Sequence, residues 1–261
     1  MATSTQILYA LIGTGFTFLA TVLGSSLVFF FKKEVNMLLQ KAFLGFAAGI
    51  MIAASVWSLL IPSIEMAEGS VLPAAIGFVL GGIFLMLLDN LLPHIHARNN
   101  LQEGLPSNLK RPTMLVFAVT LHNIPEGMAV GLSFALVAQN PENGALASSL
   151  ALAIGMGLQN FPEGAAISLP LKKEGLSNKK AFLLGSASGI VEPIAGVLAV
   201  LIASSILTLM PWLLSFAAGA MIYVVVEELI PEANLGEHSH IGTASVMLGF
   251  LVMMVLDVVL G

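Results

Sequence analysis

Apolar runs about 20 residues long follow one another along this sequence, broken only by short polar connections. That is the length of a helix crossing a membrane, where a backbone must satisfy its own hydrogen bonds. Barrel strands are excluded, because the runs are too long and lack the alternation of polar and apolar residues that barrels require. The chain of 261 residues is 57% hydrophobic and 10% charged, with a mean hydropathy of +0.95. A soluble domain of this size needs far more polar surface. Eight spans are predicted, at 7–31, 38–61, 71–92, 113–137, 145–170, 181–209, 212–231 and 241–261. Residues Met1–Gln6 carry no basic side chain, so the first run is read as a span and not as a cleaved signal. There is no cysteine, which excludes disulfides and thiolate metal sites.

The cations set an orientation. Lys32, Lys33 and Lys41 flank the first connection, Arg98, Lys110 and Arg111 lie in the third, and Lys172, Lys173, Lys179 and Lys180 lie in the fifth. Connections after the even-numbered spans have none. The positive-inside rule then makes the odd-numbered connections cytoplasmic and turns both termini outward. The ten cations form no stripe suited to nucleic acid, and no composition shift marks a soluble domain.

The chain also repeats itself. Phe46-Ala47-Ala48-Gly49, with Met51 after it, recurs as Phe216-Ala217-Ala218-Gly219 with Met221. Leu80-Gly81 followed by Leu88-Asp89 recurs, equally spaced, as Leu248-Gly249 followed by Leu256-Asp257. Gly24 and Gly196 stand at a similar offset. Five spans separate each copy, so the copies run in opposite directions, as in the inverted repeats of secondary transporters. The expected architecture is an all-α polytopic membrane protein forming one transmembrane domain. Repeat one covers about 7–92, two central helices about 113–170, and repeat two about 181–261.

The central helices carry the chemistry. His122-Asn123-Ile124-Pro125-Glu126-Gly127 is echoed by Gln159-Asn160-Phe161-Pro162-Glu163-Gly164. Residues four apart share a helix face, so His122 stacks with Glu126 and Gln159 with Glu163, with Asn123 and Asn160 beside them. Pro125 and Pro162 fall inside the helices and are expected to kink them. A third carboxylate, Glu192, lies in the sixth span before Pro193. A lone charge at the bilayer centre costs about 2.5–3.5 kcal/mol on insertion scales. No Lys or Arg lies deep in a span to offset Glu126, Glu163 and Glu192, so they are protonated or meet a cation from outside the protein. An imidazole with carboxylates and amides suits Zn2+, and also Fe2+, Mn2+ and Cd2+. Met51, mid-depth in the second span, adds a thioether that serves either as ligand or as packing. Asp89, His94, His96, Glu227, Glu228 and His238 gather near the cytoplasmic ends of their spans and suit weak metal holding at a mouth. Asp257, at the end of the last span, reads as a solvated end.

The His-Asn-x-Pro-Glu-Gly run and its Pro-Glu-Gly echo resemble the ZIP family of zinc and iron transporters, in its bacterial branch, and the resemblance covers the whole chain. It implies divalent metal uptake across a bacterial inner membrane through a binuclear site. His122, Glu126, Gln159, Glu163 and Met51 match one metal position of the family. Asn123, Asn160, Glu126, Glu163 and Glu192 match the second, where some relatives have Asp in place of Asn160. Asp89, His94, His96, Glu228 and His238 match an exit route. The resemblance also implies homodimers and a sliding of the central helices against the rest. In this reading the metal is cargo, no cofactor is needed, and the chain is not an enzyme. Two other readings of the residues stay open: an intramembrane metal hydrolase, which lacks a His-Glu-x-x-His run, and a carboxylate proton channel.

Overall fold

A computed structural model describes residues 4–31, 36–95, 102–139, 145–205, 207–234, 236 and 239–260. Its helices are α1 (Ser4–Phe29), α2 (Met37–Met66), α3 (Val71–Leu91), α4 (Arg111–Gln139), α5 (Ala145–Lys173), α6 (Asn178–Ala203), α7 (Met210–Asn234) and α8 (Ile241–Leu260). All except α5 are long and apolar enough to cross a membrane. The α5 helix has the length, 29 residues, but Gln159, Asn160 and Glu163 lower its hydropathy. A two-stranded ribbon, β1 (His94–Ile95) with β2 (Gln102–Glu103), follows α3.

The helices are built for lipid. On α1 the buried face is small and polar (Gly13, Thr14, Thr17, Thr21, Gly24, Ser25), while Leu8, Ile12, Phe16, Leu19 and Leu23 face outward. Packing between such helices depends on close approach rather than on hydrophobic burial. Glycines supply it. Gly24 abuts the carbonyl of Phe161, and Gly164 that of Thr21, which joins α1 to α5. Gly127 and Gly131 meet the backbone of Glu192 and Gly196, joining α4 to α6. Gly49 and Gly249 join α2 to α8 against the carbonyls of Val246 and Phe46; Gly81 and Gly219 join α3 to α7 against those of Phe216 and Phe78. The last two interfaces use corresponding members of the repeated sequence. The tightest backbone contacts thus fall within two sets, α1/α4/α5/α6 and α2/α3/α7/α8.

Helix continues through Pro125 in α4 and Pro162 in α5, and the turns that depart from α geometry among the described residues lie in other helices. The α2 helix widens to a π-helical turn at Ser55–Leu60 and α7 at Val225–Leu229. The Ile61 N–H reaches back to Val56, and Ile230 to Val225. A proline follows each, Pro62 and Pro231, and the wider turn accommodates its missing N–H and its ring. In α6 the helix opens at Gly189 and Ile190, where Pro193 has no N–H for the Gly189 carbonyl and Glu192 N–H takes it instead, at 3.1 Å.

Connections at one end are tied by the cations. Lys172 Nζ donates to the carbonyls of Val28 and Phe31, at 3.2 and 3.0 Å, capping the end of α1. Arg111 pairs with Glu174 at 2.8 Å, and Lys41 Nζ reaches Ser239 at 3.5 Å.

Candidate metal centre

Glycine placement brings the paired motifs into one site. Gly127 seats Glu192 of α6 beside α4, and Gly164 seats α1 beside α5. Met51, His122, Glu126, Gln159 and Glu163 line one narrow cavity, closed on its apolar side by Phe43, Leu44, Val224 and Leu229. Met51, His122, Asn123, Glu126, Gln159, Asn160 and Glu192 are all buried, and Glu163 is half-buried. The widened turn of α2 starts just after Met51, whose carbonyl accepts from Ser55 Oγ at 2.7 Å.

Hydrogen bonds divide these polar groups. Gln159 Nε2 donates to Glu126 Oε2 at 2.6 Å and to Asn160 Oδ1 at 2.5 Å. Asn160 Nδ2 donates to both oxygens of Glu192, each at 3.0 Å, and Thr17 Oγ1 donates to Glu192 Oε2 at 2.5 Å. Asn123 Nδ2 donates to the Ser188 carbonyl at 3.1 Å, a group released where α6 opens. In this group of residues three buried acceptors have no hydrogen-bond partner among the described residues: Asn123 Oδ1, Glu126 Oε1 and Glu163 Oε2. An unpaired oxygen in low dielectric is costly, and with the carboxyls ionised these three can only accept. Glu126 and Glu163 line the cavity with the imidazole of His122 and the thioether of Met51, a donor set for a borderline divalent cation.

A second cluster adjoins the first. His122 Nε2 is hydrogen-bonded to Glu228 Oε1. Ligand atoms of Asp89, His94 and Glu228 lie within 4.8 Å of one another, close enough to share a metal ion. The ribbon turns His94 back toward α3, with Nδ1 donating to the Leu92 carbonyl at 2.9 Å and Nε2 facing Asp89 Oδ1 at 3.0 Å. Tyr223 hydroxyl donates to Asp89 Oδ2 at 3.2 Å. Burial lowers the His94 pKa, but the hydrogen bonds to Asp89 and Leu92 and the charges of Asp89 and Glu228 outweigh it and raise the pKa above 6.5.

The structure therefore brings Asp89, His94 and Glu228 together. Glu227 is exposed and stands outside that set, because adjacent residues on a helix do not share a face. His96 and His238 lie outside the described residues. Asp257 is not a solvated end: it is buried where α8 packs on the widened turn of α2 and accepts from Ser58 Oγ at 2.7 Å. Sequence reasoning missed Thr17 and Thr21. Their signal was the stripe Thr14, Thr17, Thr21, Ser25, a helical spacing of polar residues in an otherwise apolar span.

Comparison with known proteins adds relatives to this geometry. Residues 109–257 match the family described as ZIP Zinc transporter. Zinc transporter ZIP11 of Homo sapiens is 36% identical, over 98% of this chain and 98% of the relative. Zinc transporter ZIPB of Bordetella bronchiseptica is 38% identical, over 97% of this chain and 82% of the relative. Zinc transporter GufA of Myxococcus xanthus is 38% identical, over 88% and 90%.

Proposed function

The chain belongs to the ZIP family, and from that premise we propose that it is a multi-pass membrane transporter carrying Zn2+ into the cytoplasm of a bacterium across the inner membrane. Fe2+, Mn2+ and Cd2+ are the other ions its ligand chemistry suits. The observation that carries this reading is the pair of unpartnered carboxylate oxygens, of Glu126 and Glu163, on a cavity that His122 and Met51 also line.

The ion is stripped of water and held by His122, Glu126, Gln159, Glu163 and Met51. Ligands must be deprotonated to bind, so loading displaces protons and protonation favours release. Glu228 touches His122 on one side and completes the Asp89–His94 cluster on the other, which supports a direct hand-over toward an exit. The cation-bearing connections support a cytoplasmic exit with both termini outside. Alternating access is a sliding of α1/α4/α5/α6 against α2/α3/α7/α8. The arrangement of the glycine contacts, tight within each set, supports such a motion. The protein works as a homodimer and performs no hydrolysis.

Zinc uptake into vesicles containing the Glu126→Ala/Glu163→Ala double variant tests the site. Uptake falls to the level of protein-free vesicles if these carboxylates hold the ion; uptake at the wild-type rate sinks the assignment.

A further inference from the structure

The buried polar groups fall into two unequal halves. Around Glu126 and Glu163 oxygens stand unpartnered. Around Glu192 both carboxylate oxygens have donors. Oε2 accepts from Thr17 Oγ1 at 2.5 Å and from Asn160 Nδ2 at 3.0 Å; Oε1 accepts from the same Nδ2 at 3.0 Å and from Thr21 Oγ1 at 3.4 Å. Asn160 is used up as well. Its Oδ1 accepts from Gln159, and its Nδ2 also lies 3.2 Å from the Thr17 carbonyl oxygen. That carbonyl fixes the amide's orientation, because an oxygen that can only accept requires a donor opposite it. Asn160 therefore presents N–H, not oxygen, to Glu192, and an N–H donor cannot ligate a cation.

We propose that Glu192 and Asn160 hold no divalent ion: the Asn160 amide occupies, as a hydrogen-bond donor, the place between two side chains where a cation would otherwise sit. Bound metal is confined to the side of the cavity lined by His122, Glu126 and Glu163, and the inference rests on the reading of that site given above. The Glu192 carboxylate is a positioning group. Through Thr17, Asn160 and its own backbone against Gly127, it fastens α1, α5, α4 and α6 to one another. An aspartate at position 160 would have no N–H to give. It would set a second carboxylate against Glu192, and the pair would then need a cation or a proton between them.

Anomalous scattering from crystals of the full chain soaked in Cd2+ tests this without any variant. The expected map has a peak among His122, Glu126 and Glu163 and none within coordination distance of Glu192. A peak bridging Glu192 and Asn160 in the wild type overturns the proposal while leaving the central site intact. A map empty at both places overturns the central-site reading and takes this one with it. In crystals of the Asn160→Asp variant soaked alike, a new peak appears beside Glu192; an ordered carboxylate at position 160 with no such peak overturns the claim that the amide is what excludes the ion.

Discussion

Glu228 and His94 show how much one residue's surroundings decide here. Glu228 lies within the widened turn of α7, and that turn directs it toward both His122 and the Asp89–His94 pair while its neighbour Glu227 faces out. His94, brought in by a two-residue ribbon, has its pKa raised above 6.5 by Asp89, Leu92 and Glu228 despite burial. A raised folded-state pKa means that the pair contributes stability fully below 6.5, which is lost as pH rises through the folded value. Thermal unfolding of the metal-free protein, followed from about pH 5 to 8, should show the wild type losing its advantage over His94→Ala as pH rises. A constant difference across that range would show that the pair does not titrate as described. The polar residues that line the central cavity were legible in the sequence because a doubled motif put costly groups twice in apolar helices. Thr17 and Thr21 were not, because a threonine in such a helix can satisfy its own hydroxyl on the preceding turn, as Thr14 does on Ala10 at 2.7 Å. Only contact across helices distinguishes them.

Among the elements, the order and approximate limits of the spans were readable from hydropathy, since length and apolarity are what a membrane selects. The places where helices depart from α geometry were not. Helix continues through Pro125 and Pro162, where a kink was expected, and the departures from α geometry come elsewhere: Pro62 and Pro231, each preceded by Leu-Ile, follow π-helical turns. A proline states that one backbone bond is missing; which neighbour absorbs the loss depends on packing. The repeated Leu-Ile-Pro is the signal that the comparison of the two halves could have used. The glycines were visible, but their partners were not. Gly249 meets the Phe46 carbonyl, so Gly249→Leu forces α8 off α2, at a cost of about 1–3 kcal/mol or more. Gly15 faces open space, and Gly15→Leu should leave stability nearly unchanged. The apparent melting temperatures of the two variants in detergent check this; equal temperatures would mean that the α2–α8 contact is not as tight as described.

At the scale of the whole molecule, two helix sets, each sealed by glycine-to-backbone contacts, meet across a cavity whose walls come from both: Met51 from one, His122, Glu126, Gln159 and Glu163 from the other. A site with ligands on both sides of such a seam binds best when the sets are in register and loses ligands when they slide, which is what a carrier requires. The same arrangement is a poor design for a hydrolase, which needs a fixed geometry around its metal, and a proton channel has no need of an imidazole and a thioether beside its carboxylates. The direct measurement is the initial rate of Zn2+ entry into vesicles containing the purified wild-type protein, read by a fluorescent chelator trapped inside, with proton flux recorded in parallel. The account predicts entry that depends on the protein and saturates with external Zn2+. Proton current that persists unchanged without any divalent ion, together with no Zn2+ entry above protein-free vesicles, would contradict it.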